Sequence, residues 1–122
     1  MKIFRGKVVT GDGVAGRDLG TPTANLDLSK VDLEPGVYAA EAYLQGEKHD
    51  SIVCYGIGEP PKFEVHLFNF DEDIIGEELE VEIVEQVGEL VPWSSVERMR
   101  QKILHDIELA GEVLKKRKKN QE

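Results

Sequence analysis

The sequence predicts a mainly β fold: six short strands closed into an antiparallel barrel, followed by a C-terminal α-helix. Three observations lead there. Short apolar stretches recur through residues 1–92, each broken by glycine, proline or acidic turn residues. After Ser94 the apolar spacing changes from two to three or four. A chain of 122 residues is also long enough for one domain with one modest core. The barrel is expected over residues 1–92, the helix over 94–116 and a frayed basic tail over 117–122.

The elements follow in order. Lys2 to Val9 is anchored by Ile3, Phe4, Val8 and Val9, and a glycine-rich loop fills 10–21. Ala24 to Leu28 is a short strand with Leu26 and Leu28 on one face. Glu34-Pro35-Gly36 is a turn signal. Val37 to Leu44 is a strand, Gln45-Gly46-Glu47-Lys48 a hairpin turn, and Ser51 to Ile57 the next strand, closed by Gly58-Glu59-Pro60-Pro61. Phe63 to Phe70 follows, then an acidic turn at Asp71-Glu72-Asp73. Glu78 to Val87 alternates, with Leu79, Val81, Ile83 and Glu85 on one side. Ser94-Ser95-Val96-Glu97 reads as a capping box, with Trp93 stapling the helix start. Val96, Met99, Ile103, Ile107, Ala110 and Leu114 form one helical stripe.

Composition narrows the function. The net charge of -9 argues against a nucleic-acid binder, which normally presents a basic face. The only basic cluster, Lys115 to Lys119, fits a solvated helix end. Cys54 is the single cysteine, so no intramolecular disulfide forms and a reducing cytoplasm fits. It sits in the apolar run Ile52-Val53-Cys54-Tyr55 and reads as a buried, inert thiol. There is no apolar run of about 18 residues and no signal peptide. A cytoplasmic monomer acting on small molecules, with no nucleic acid or membrane partner, is expected.

Three stretches can carry chemistry. Gly11, Gly13 and Gly16 let backbone amides approach an anion, and Arg17 adds a charge; taken alone, a plain hairpin loop is the default reading. In Pro22-Thr23-Ala24-Asn25, Thr23 and Asn25 alternate around Ala24, so both oxygens point one way. They suit a Mg²⁺ ion that keeps phosphates as its other ligands, or else they bond local backbone. In Glu64-Val65-His66, a carboxylate beside a nucleotide could take a hydroxyl proton. Half a metal site and a solvated strand face are the alternatives. His49 and His105 carry no motif and read as surface residues.

Together and in this order, these features resemble the riboflavin kinase family of bacteria and eukaryotes. The resemblance runs from Arg5-Gly6-Lys7-Val8-Val9 through Gly11-Asp12-Gly13 and Leu19-Gly20-Thr21-Pro22-Thr23-Ala24-Asn25. It continues through Pro35-Gly36-Val37-Tyr38-Ala39, Ile57-Gly58, Glu64 to Asp71, Gly76, and Asp106-Ile107-Glu108-Leu109-Ala110. It implies a six-stranded Greek-key barrel with a C-terminal helix. It also implies transfer of the ATP γ-phosphate to the 5′-hydroxyl of riboflavin, giving FMN and ADP. Thr23 and Asn25 would then hold Mg²⁺ and the nucleotide phosphates, the Gly11–Arg17 loop would arch over ATP, and Glu64 would be the general base. Met1 lies just before the first strand, so the adenylyltransferase half found in bifunctional relatives, and FAD synthesis with it, is not expected.

The departures fall on loops. Val14 and Ala15 stand where the family has Arg-Gly, Thr21 replaces an apolar residue before Pro22, and the turn at Gly58–Lys62 is short. The family's flavin-side flap, Leu-Arg-x-Glu-x-x-Phe, reads Val87-Gly88-Glu89-Leu90-Val91-Pro92-Trp93, leaving Glu89 and Trp93 as candidate flavin contacts. Loops are where a scaffold changes function. A non-catalytic flavin- or nucleotide-binding paralogue and a kinase of another small alcohol therefore remain as alternatives.

Overall fold

The computed structural model describes residues 2–9 and 23–121. Six strands form a closed barrel, β1 (Ile3–Val9), β2 (Ala24–Asp27), β3 (Gly36–Leu44), β4 (Glu47–Ile57), β5 (Lys62–Leu67) and β6 (Glu78–Gly88), followed by helix α1 (Val96–Gln121). The order around the barrel is β1-β2-β5-β4-β3-β6, all neighbours antiparallel. Strands β3, β4 and β5 are consecutive neighbours, and β2 lies beside β5. That is the Greek-key arrangement.

Alternation sorts the side chains into two cores. Phe4, Val8, Leu26, Tyr38, Val53, Phe63, Val65, Leu79 and Val81 fill the barrel. Val37, Ala39 and Ile52 point outward and pack with Ala110 and Leu114 of α1. Strand β3 is therefore covered on both faces, and almost all of it is buried. The small Ala39 and Ala110, both fully buried, let helix and sheet approach closely.

Several boundaries differ from the expectation. The β3–β4 turn is only Gln45-Gly46, both with positive φ (50° and 85°), as a two-residue hairpin requires. Strand β4 thus begins at Glu47 rather than Ser51. Strand β5 ends at Leu67, because Asn69 turns with φ 55°. Glu85 does not share the inward face of Ile83. A register shift between Ala39 and Ala40 on the paired strand inserts a bulge, and Glu85 turns out to solvent.

The helix also corrects the reading. Ser95, not Ser94, caps it: the Arg98 amide donates to Ser95 Oγ at 3.2 Å, so the third position carries an arginine and no capping box forms. Trp93 is 54% exposed and Val96 41%, so no staple closes the start of the helix. Burial begins at Asp106 and continues through Ala110 and Leu114. The basic stretch does not fray at 117; it stays helical to Gln121 because barrel acids lie beneath it. Arg117 meets Glu82 at 3.0 Å and Glu41 at 3.6 Å, and Lys118 meets Asp50 at 2.6 Å. Glu41 is 2% exposed on the outer face of β3, with Lys48 at 3.3 Å as its other cation. No described helix is long and apolar enough to cross a membrane.

Candidate active site

The barrel brings the two polar motifs together. Asn25 in β2 and Glu64 in β5 are direct Cα partners, and Ala24 faces Val65. Opposed residues of an antiparallel pair share a face, about 4.5–5.5 Å apart. Ala24 and Val65 border the interior, so Asn25 and Glu64 point outward. Thr23 precedes Asn25 by two positions and falls on the same face. Asn25 is also flanked by Val9 of β1, which places it in mid-sheet.

Asn25 is 7% exposed, yet among the described residues its Oδ1 has no hydrogen-bond partner, and neither does the buried Thr23 Oγ1. Two buried oxygens without partners on one short segment are costly unless a ligand satisfies them. Neither atom bonds local backbone among the described residues. Their chemistry, hydroxyl and amide oxygen, fits a hard cation such as Mg²⁺. Among the described residues no cluster of three or more His, Cys, Asp or Glu could hold a metal.

Glu64 is half-buried on β5, between Asn25 and Cys54 of β4. Burial raises its carboxyl above the ordinary range, and the Lys62 ammonium on the same face pulls it down. Cys54 is pushed up to about 12, chiefly by burial and next by Glu64, which makes it the inert thiol expected. His66 lies against Phe68 in a tilted arrangement, with ring centroids 5.8 Å apart.

A cavity of about 250 Å³ opens beside Thr23 and Asn25. Val8, Val9, Phe70, Ile74 and Ile75 give it apolar walls, and Asp71, Glu72 and Asp73 also line it. Glu64 is not part of its described lining. Sequence reasoning missed the 70–75 wall and Lys62. The antiparallel β2–β5 pair sets the start of β2 beside the end of β5, so the acidic turn after β5 must lie near Thr23. His49, expected at the surface, is half-buried edge-on to Phe70 at 5.2 Å. His105 is exposed as expected.

Gly11, Gly13, Gly16 and Arg17 lie outside the described residues. Glu89 and Trp93 are exposed on the connection between β6 and α1. Leu90 of that connection lies on Gly56 in β4, two positions from Cys54: a Cβ on Gly56 would come within 3.0 Å of Leu90 Cδ1 and 2.7 Å of Pro35 Cβ.

A family model for riboflavin kinase matches residues 2–114. The chain belongs to the riboflavin kinase family. It is 34% identical over 114 residues to a bifunctional riboflavin kinase/FMN adenylyltransferase of Buchnera aphidicola, covering 85% of this chain and 36% of that protein. It is 34% identical over 113 residues to an RNA-binding riboflavin kinase of Bacillus subtilis, covering 88% and 49%. The chain thus spans about a third to a half of the length of these curated relatives. The crystal structure of riboflavin kinase from Trypanosoma brucei superposes with a TM-score of 0.70 at 20% identity, covering 93% of this chain and 77% of that one. That likeness bears out the six-stranded barrel with its C-terminal helix.

Proposed function

We propose that this riboflavin kinase-family chain transfers the γ-phosphate of ATP to the 5′-hydroxyl of riboflavin, giving FMN and ADP. The observation that carries the reading is the Asn25–Glu64 register pair, with unpartnered oxygens on Thr23 and Asn25 beside it. A cation-holding face and a carboxylate then stand about one strand spacing apart, which an in-line transfer between phosphate and hydroxyl needs.

Thr23 Oγ1 and Asn25 Oδ1 would hold a Mg²⁺ ion together with the nucleotide phosphates. When bound, the ion neutralises and orients those phosphates. Glu64 orients the ribityl hydroxyl and accepts its proton as the hydroxyl oxygen bonds to the γ-phosphorus and the bond to the ADP oxygen breaks. Burial makes Glu64 a stronger base than an exposed carboxylate, and the Lys62 ammonium offsets part of that rise. Thr23 and Asn25 mark where the phosphates belong in the cavity, and Val8, Val9 and Ile74 offer an apolar wall for the nucleotide base. Glu89 and Trp93 are the proposed flavin contacts, and Gly11, Gly13, Gly16 and Arg17 the proposed phosphate loop. The net charge of -9 supports small molecules rather than nucleic acid as partners, for a monomer in the cytoplasm.

Incubation with riboflavin, ATP and Mg²⁺, followed by chromatography, is expected to yield FMN and ADP in equal amounts. The absence of FMN at high protein concentration, with several nucleotides tried, overturns the reading. Quenching of riboflavin fluorescence without product would point to the binding paralogue.

A further inference from the structure

The connection that carries Glu89 and Trp93 is anchored at its root by a residue far along the helix. Strand β6 ends at Gly88, which pairs with Val37. Directly against Gly88 lies the Asp106 carboxylate: a Cβ there would come within 2.8 Å of Oδ1, 3.1 Å of Cγ and 3.2 Å of Oδ2. Asp106 is 4% exposed, and Lys102, one turn earlier, donates to its Oδ2. The Gly88 carbonyl accepts from Gln86 Nε2 at 3.1 Å. Leu90 is seated on Gly56, whose φ of 116° also favours glycine. Beyond Leu90 the support ends, with Val91 and Trp93 exposed up to the Ser95 cap.

The chain thus leaves the barrel at Gly88, and three turns into α1 the helix returns Asp106 to the point of departure. A buried, paired carboxylate is kept in one place, because moving it would strand its charge. It fits against Gly88 only because that residue lacks a side chain. Residues 88–90 are therefore held at the barrel and Ser95 at the helix, with exposed Val91 and Trp93 between them.

We infer that Asp106, held by Lys102, is a positioning residue for segment 89–95, which carries the proposed flavin contacts Glu89 and Trp93, acting through Gly88 and never touching substrate. The inference rests on the riboflavin kinase reading for the identity of the substrate, but not for the clamp itself.

The test uses Asp106→Asn and Gly88→Ala in the full chain. Trp93 is the only tryptophan, so acrylamide quenching of its fluorescence in the ligand-free protein reports the segment directly. Both variants are expected to change that quenching. Both should raise the riboflavin KM about tenfold while the ATP KM stays within about twofold. Wild-type quenching and riboflavin KM in both variants overturn the inference, including the case in which only the melting temperature falls. If Asp106→Asn does not fold, Lys102→Met releases the carboxylate and is read the same way. If the wild-type protein makes no FMN, the kinase reading fails while the quenching result still decides the clamp.

Discussion

Replacing Glu64 with glutamine separates the chemistry of the site from its architecture. The two side chains have the same shape, so the β5 register against Asn25 and Cys54 is kept. What is lost is the proton acceptor. General-base contributions run to about 10²–10⁴ in rate, or about 3–5 kcal/mol of barrier. A loose phosphoryl transition state places the loss toward the lower end, since charge stabilisation does most of the work. Glu64→Gln should therefore lower kcat for FMN formation about a hundredfold or more, while riboflavin and Mg-ADP bind as before. Stability should move the other way. The folded-state pKa of Glu64 lies above its ordinary value, so ionising it opposes folding. Its favourable contribution is full below the ordinary carboxylate pKa and is lost as pH rises through the raised one. The variant should then melt above the wild type at neutral pH, and the two should converge in acid. The wild-type kcat should show an acid limb displaced upward from the ordinary carboxylate range, and the variant should lack it. A kcat within about tenfold of wild type would refute the base assignment.

Three further outcomes follow from the same structure. Thr23→Val should weaken Mg-ADP binding at least about tenfold by calorimetry. Its melting temperature should hold or rise, because the hydroxyl it removes has no partner among the described residues. Arg117→Met should destabilise the chain by about 3 kcal/mol in urea unfolding, because Glu41 stays buried with Lys48 as its remaining cation among the described residues. Cys54, with its thiol at about 12, should react with Ellman's reagent at pH 8 at least about a hundredfold more slowly in the folded protein than in urea.

Much of the fold was legible because the relevant signals are local. Alternation at Leu79, Val81 and Ile83 and the apolar stripe through Ala110 and Leu114 belong to single elements, and both lie where their periods put them. The misreadings depend on a neighbour. Strand β4 starts in the polar run Glu47–Asp50, which looks like loop until a two-residue turn zips it onto β3. Glu85 follows the inward period until a bulge breaks it. Lys118 looks solvated in sequence, but Asp50 waits beneath it. The site divides in the same way. Thr23, Asn25 and Glu64 are marked by residue type and order. Their adjacency is a product of the Greek-key crossing that lays β2 beside β5. No local pattern announces the 70–75 wall of the cavity or the Asp106 contact with Gly88.

Closure of the barrel has a consequence beyond the site. Because β1 pairs with both β2 and β6, the sheet presents no open edge on which a foreign strand could add. Such a unit can be joined in one polypeptide to other domains without exchanging strands with them. In the two curated relatives this chain matches about a third to a half of the length, so there a unit like it shares its polypeptide with other sequence.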